Sequence, residues 1–259
     1  KAYSCACACV CSCGITVARG CHHYLLHTPA PPDTPGPCLW TTRAGMDKDK
    51  ESADYSFVKH STTHPKFLHS NSTSHVWPFG AIAELLDNAV DPDVCAKNFW
   101  INIRDDIAGR PALMCRDDGH GASPDTMHKM LSFGYCDKEK YAAEGKQAIG
   151  FYGNGFKSGS MRLGKDALVL SKTKKKMCAG LLSQTFLQSI GSQDVLVPII
   201  SWDLDGKKRE DHRTTDEIQS LEAITKYSDY KTERQLLQLF KKIKDTGTLI
   251  IIYNLRKND

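Results

Sequence analysis

No apolar run in this 259-residue chain approaches the ~18 residues that a membrane-spanning helix requires. No apolar core followed by a cleavage site marks a secretory signal, and no internal repeat points to a solenoid or propeller. Strong charge of one sign is also missing. The net charge of +4 hints only weakly at an acidic partner and does not by itself argue nucleic-acid binding. Beyond Cys38 the cysteines (Cys95, Cys115, Cys136, Cys178) stand singly, without metal-ligand pairing. That fits reduced thiols in an intracellular protein. Two phosphate-binding signatures fail on spacing. Gly150 and Gly155 have the gap of a P-loop, but Phe156 intervenes before Lys157-Ser158. A dinucleotide fingerprint needs a third glycine where Ser158 stands, and a short βαβ unit that is not evident.

What is present is an ordinary globular composition, 41% hydrophobic and 25% charged, long enough for one large domain or two small ones. Its first part is unusual. Seven of the eleven cysteines fall between Cys5 and Cys38, five of them in the run CACACVCSC. We read residues 1–48 as low-complexity Cys- and Pro-rich sequence outside the fold, either disordered or non-native (translated from upstream of a start at Met46), in preference to a thiolate metal tract. Residues 49–76 are read as a polar N-terminal segment and a candidate dimerisation arm. Its histidines (His60, His64, His69, His75) lack a cysteine or acidic pair, so no zinc site is assigned. Residues 77–259 are the expected domain.

In that domain Ile82, Leu85, Leu86 and Ala89 recur at helical steps, and Pro92 ends the helix. Strands are expected at Phe99–Arg104, Ala112–Cys115, Ala167–Leu170, Cys178–Phe186, Val195–Trp202 and Thr248–Tyr253. Ser123 caps a helix through Phe133, Tyr135–Gly145 reads as a loop, and two helices fill Asp216–Ile243. Strands and helices interleave without strict alternation, which argues a mixed sheet covered by helices.

Three motifs carry chemistry. Glu84 and Asn88, four apart, lie one turn above each other. Asn88 offers a neutral oxygen to magnesium, and Glu84 can orient or deprotonate an attacking water. Asp117 ends a strand before Gly119 and Gly121, where it can accept a hydrogen bond from an exocyclic amine while the glycines leave room for a flat base. Gly150, Gly153 and Gly155 let backbone N–H groups close around phosphate, and Lys157 can add a point charge.

In this order, E-x-x-x-N, D-x-G-x-G and G-x-x-G-x-G resemble the GHKL ATPases, with Gly247-Thr248 similar to the threonine that completes the adenine pocket. ELLDNAVDPD, HKMLSFG, YGNGFKSGSMRLGKDALV, GLLSQTF and GTLIIIYNLR narrow the resemblance to the microrchidia (MORC) family over about Phe67 to Arg256. It implies an α/β two-layer sandwich of the GHKL (Bergerat) type, a mixed sheet with helices on one face. It implies Glu84 as general base, Asn88 as magnesium ligand and Asp117 with Gly119, Gly121 and Thr248 around adenine. Gly150, Phe151, Tyr152, Gly153, Asn154, Gly155, Phe156, Lys157 and Lys138 become phosphate and lid contacts. Its cofactors are ATP and magnesium. Its activity is slow hydrolysis driving an N-terminal homodimer, in a nuclear protein that compacts chromatin and silences genes, with no membrane partner. DNA or chromatin would be reached partly through regions outside this chain, a transducer, coiled coils and a CW-type zinc finger. A MutL-like repair ATPase and a non-hydrolysing chromatin module with structural nucleotide are the rival readings. Pro92 and Ala122 depart from the wider superfamily's usual residues.

Overall fold

The computed structural model describes residues 9–11, 14–16, 62–104, 110–134, 153–206 and 213–257. All of these but Thr62 belong to one compact unit. Among the described residues eight strands form one sheet in the order β1-β2-β3-β4-β8-β5-β6-β7. They are β1 (Cys9–Cys11), β2 (Gly14–Thr16), β3 (Phe99–Arg104), β4 (Ala112–Asp117), β5 (Gly164–Lys172), β6 (Lys176–Ser183), β7 (Ile199–Asp203) and β8 (Gly247–Leu255). The helices are α1 (Lys66–Ser72), α2 (Pro78–Val90), α3 (Pro124–Leu131), α4 (Gly155–Leu163), α5 (Gln184–Ser189), α6 (Thr215–Tyr227) and α7 (Glu233–Leu239), with a 3₁₀ turn at Phe240–Lys242.

The α/β sandwich stands, with two corrections. Each ladder among the described residues is antiparallel, so the sheet is not mixed. Helices also cover both faces. Ala167, Val169, Ile250 and Ile252 join Leu85 and Ala89 of α2, Met161 of α4 and Met127 of α3 in one core. Leu168, Leu170, Leu249 and Ile251 face the other way, onto Ile224 of α6, Leu236 and Leu239 of α7, and Phe240 and Ile243. The cause lies in the strands. Ala167–Leu170 and Leu249–Tyr253 are apolar at consecutive positions, so either exposed face would leave a row of aliphatic side chains in water. The first strands also differ from expectation, since Gly14–Thr16 pairs onto the β3 edge through Ile15↔Ile101 and Thr16↔Trp100, and Cys9–Cys11 pairs onto Gly14–Thr16. Other residues of the 1–48 stretch lie outside the described ones.

Side-chain caps set the helix starts. Ser123 accepts from Thr126 N at α3, and Thr214 and Thr232 form capping boxes with Glu217 and Gln235 at α6 and α7. The expected strand Cys178–Phe186 is cut short at Ser183 by the same device. Ser183 Oγ accepts from Phe186 N at 2.8 Å and starts α5. Asp166, fully buried on β5, accepts from Ser183 Oγ (2.5 Å), Thr185 N (3.1 Å), Thr185 Oγ1 (2.7 Å) and Asn254 Nδ2. One carboxylate thus joins β5, β6, α5 and β8, with its oxygens satisfied.

The contact that positions the site is the crossing of α2 and α4. A Cβ on Gly159 would lie 2.9 Å from the Ala81 carbonyl, so the two backbones meet where side chains would hold them apart. Alanine is the better helix former by about 1 kcal/mol, yet Gly159→Ala must push α2 off α4. Net destabilisation of roughly 1–3 kcal/mol is expected, read as a lower urea midpoint at unchanged slope. A stabilised variant would refute the close crossing.

Candidate functional site

Glu84 and Asn88 sit side by side on the half-buried flank of α2 while Ala81, Leu85 and Ala89 enter the interior. Asn88 Nδ2 donates to the Glu84 carbonyl at 2.8 Å, which leaves Oδ1 as the end able to meet a cation. The start of α4 lies directly against this pair. A Cβ on Gly155 would stand 2.2 Å from Glu84 Oε2 and 3.9 Å from Asn88 Nδ2, so only glycine admits the carboxylate there. Because α4 begins at Gly155 and its first backbone donor into the helix is Ser158 N, the N–H groups ahead of Ser158 are not used by the helix. A carboxylate, an amide oxygen and a turn of free N–H groups therefore share one place. This suits an anion held with a cation and a water.

The second cluster is built on β4, β8 and β5. Asp117 Oδ1 accepts from Gly119 N at 2.9 Å and Thr248 N at 3.1 Å. Burial pushes its carboxyl up to about 6, against the downward pull of those two N–H groups and the Thr248 hydroxyl. Ser171 Oγ accepts from Ala122 N at 2.6 Å and lies 3.2 Å from Thr248 Oγ1, so a hydroxyl pair ties the D-x-G-x-G loop to β8. The glycines of that loop do something other than clear space for a base. The volume beside Gly119 is filled by Val94, and that beside Gly121, at φ +71°, by the Lys172 carbonyl. Both serve close packing of the loop on its neighbours. His120 N also donates to Val94 O at 2.8 Å, which links this loop to the turn leaving α2.

Lys157 does not stand free beside these groups. Its ammonium is buried, donating to Met130 O at 2.9 Å and to Gly153 O, 5.3 Å from the Phe133 ring centroid. Burial lowers it to about 8. Phe156 points into the core, and Asn154 precedes α4 without a side-chain cap bond. Lys138, Gly150, Phe151 and Tyr152 lie outside the described residues.

Three contributors escaped the sequence reading. Asp118 accepts from Lys97 N, Asn98 N and Asn98 Nδ2, each at 2.8 Å, and fixes the approach to β3. Ser171 is the second. His75 is the third, with Nε2 2.9 Å from Ser158 Oγ and its carbonyl accepting from Arg162 Nε at 2.7 Å. The adjacency of Asp118 to the motif was the one available signal; Ser171 and His75 have none at short range.

The donor set admits magnesium only with help. Among the described residues no group of three His, Cys, Asp or Glu could hold a metal ion. A cation at Asn88 Oδ1 would take its other ligands from water and substrate oxygens, as magnesium commonly does.

Comparison with known proteins gives the family. The family of histidine kinase-, DNA gyrase B-, and HSP90-like ATPases matches residues 76–236. The chain belongs to that family. Within it, the chain is 50% identical over 193 residues to MORC family CW-type zinc finger protein 3 of Mus musculus, covering 74% of this chain and 20% of that protein. It is 43% identical over 213 residues to Protein MICRORCHIDIA 2 of Arabidopsis thaliana, covering 78% and 33%. To ATPase MORC2 of Homo sapiens it is 39% identical over 211 residues, covering 80% and 20%. The chain is a GHKL-type ATPase domain of the microrchidia kind, and it spans between a fifth and a third of the length of these relatives. Among the described residues no helix is long and apolar enough to cross a membrane.

The raised Asp117 carboxyl makes a prediction for this ATPase domain. Its folded value of about 6 exceeds the usual 3.8, so the folded chain holds the proton more tightly. Its contribution to stability is favourable below about pH 4 and is lost as pH rises through about 6. Nucleotide binding runs the opposite way if the ionised carboxylate is the acceptor for an amine. ATP affinity should fall as pH drops below about 6 in the wild type, more steeply than in Asp117→Asn. Parallel calorimetric profiles from pH 7.5 to 5, a range set roughly by that titration, would remove Asp117 from the nucleotide site.

Proposed function

We propose that this ATPase domain binds magnesium ATP between α2, the start of α4 and the Asp117–Thr248 cluster, and hydrolyses it slowly. The observation that carries this is the seating of Gly155 against the Glu84 carboxylate, which puts the unused N–H groups of α4 beside E-x-x-x-N. Asp117, braced by Gly119 N and Thr248 N, accepts from the adenine amine. The N–H groups of the α4 turn hold phosphate oxygens. Asn88 Oδ1 would hold magnesium, which when bound offsets phosphate charge. Glu84 orients the attacking water and takes its proton, while the terminal phosphoryl leaves the β-phosphate oxygen for the water oxygen. The products are ADP and inorganic phosphate.

We extend the proposal by kinship to the microrchidia proteins. Bound ATP favours a homodimer made through the N-terminal part of the domain. The whole protein then acts in the nucleus on DNA and chromatin, in compaction and gene silencing. Residues 49–76 are the proposed dimerisation arm, of which residues 62–76, with α1, are described. The MORC relatives favour this over the MutL-like reading, and the intact Glu84 favours turnover over a structural nucleotide.

A thermal-shift titration is the first test, since ATP with magnesium at tens of times Kd should stabilise the domain by roughly 2 kcal/mol. Glu84→Ala should keep ATP affinity, lose phosphate release and accumulate as the ATP-bound dimer in light scattering. Asn88→Ala should lose affinity chiefly when magnesium is present. A Glu84→Ala variant that hydrolyses at the wild-type rate would overturn the base assignment. Equal losses for Asn88→Ala in magnesium and in EDTA would overturn the metal assignment.

A further inference from the structure

Lys157 is the third residue of α4, and its side chain runs back across the helix's own first turn. Its charge is enclosed by the Met130 carbonyl at the end of α3, the Gly153 carbonyl and the Phe133 ring. A cation that meets phosphate directly needs an open path to it, and this one has no exposed surface. The backbone shows what the enclosure achieves. The peptide joining Gly153 to Asn154 is trans, so its carbonyl and its N–H point in opposite directions. Holding the carbonyl on the ammonium turns the Asn154 N–H away from the lysine. Ser158 acts on the next two peptides, with Oγ 3.1 Å from the Asn154 carbonyl and 3.2 Å from that of Gly155. Two consecutive side chains of α4 thus grip the carbonyl side of one turn, and leave its N–H side to a ligand.

We propose that Lys157 is a positioning residue for the nucleotide phosphates. Through the Gly153 carbonyl it sets the peptide plane from which α4 starts, and the N–H groups of that turn, not the ammonium, meet phosphate oxygens. This rests on the ATP reading above. The clamp has a support outside the turn. Phe133, whose ring lies 5.3 Å from the ammonium, packs edge-on against Phe67 of α1 with ring centroids 5.1 Å apart. Phe133 therefore reaches the α4 turn through the lysine, and its contact with Phe67 holds the ring in place.

The test is calorimetry of ATP and ADP with wild type, Lys157→Met, Phe133→Leu and the double variant, each first checked by melting without nucleotide. A wild type that binds neither nucleotide would overturn the ATP reading itself, and the remaining outcomes concern the lysine alone. Lys157→Met should weaken ATP and ADP alike, by about tenfold, as for loss of a charged hydrogen bond that orders the site. Phe133→Leu should weaken both several-fold, and the double variant should be no weaker than Lys157→Met. Wild-type affinity in Phe133→Leu, or additive losses in the double variant, would overturn the positioning role. So would a Lys157→Met that melts early yet binds ATP normally, since the lysine would then be structural only. Should Lys157→Met not fold, Phe133→Leu decides alone.

Discussion

The site depends on how closely α2 and α4 approach. Gly155 and Gly159, four apart on α4, present bare backbone to Glu84 and Ala81 on α2. A side chain at Gly159 would push the helices apart, and one at Gly155 would turn the Glu84 carboxylate away from the α4 turn. The sheet beneath fixes the same contact from below. Leu85 and Ala89 of α2 and Met161 of α4 enter one core with Ala167 and Val169 of β5. The Glu84–Gly155 contact and the core packing are thus set by the same few residues.

The Asp117–Thr248 cluster follows a different rule. Its parts come from sequence positions more than a hundred residues apart, yet β4 and β8 are neighbours in register, with Arg116 opposite Leu249. That register brings Thr248 N to Asp117 and makes a local turn into a two-strand site. Ser171, opposite Thr248 on β5, adds the third strand. Positions that the sheet fixes this firmly need no induced closure to be assembled.

Much of this was legible in the sequence, and the boundary of legibility has physical causes. The E-x-x-x-N helix was readable because its spacing and its apolar face follow from helical period alone. Thr248 was readable only through the resemblance to a known family, since nothing in its spacing from Asp117 foretells a β4–β8 ladder. The second helical layer was written in the consecutive apolar residues of Leu249–Tyr253, a pattern of strands buried on both faces. The antiparallel ladders were hidden, because pairing direction leaves no periodic trace. Lys157 was misleading for a related reason. A lysine in a glycine-rich motif suggests a free charge, and only tertiary packing of α3 against α4 shows that carbonyls and a ring already enclose it.

Asp117 and Lys157 share a physical signature that the core also shows elsewhere. Burial drives each toward its neutral form, and it does the same to the thiols of Cys115 and Cys178, both raised to about 12. Perturbation alone therefore does not mark function, since these thiols are inert at neutral pH and simply fill the core. The difference lies in what surrounds the group. Cys115 and Cys178 sit among apolar side chains, with only a weak S–H bond from Cys178 to the Ala122 carbonyl at 3.3 Å, whereas Asp117 is gripped by two N–H groups and Lys157 by two carbonyls. A buried charge opposed by oriented backbone costs stability that an apolar side chain would not. What it gives in return is a backbone held in one arrangement. At Asp117 that arrangement brings a strand to the loop, and at Lys157 it directs a turn of N–H groups outward, so the two desolvated charges lie where the backbone itself has to be aimed.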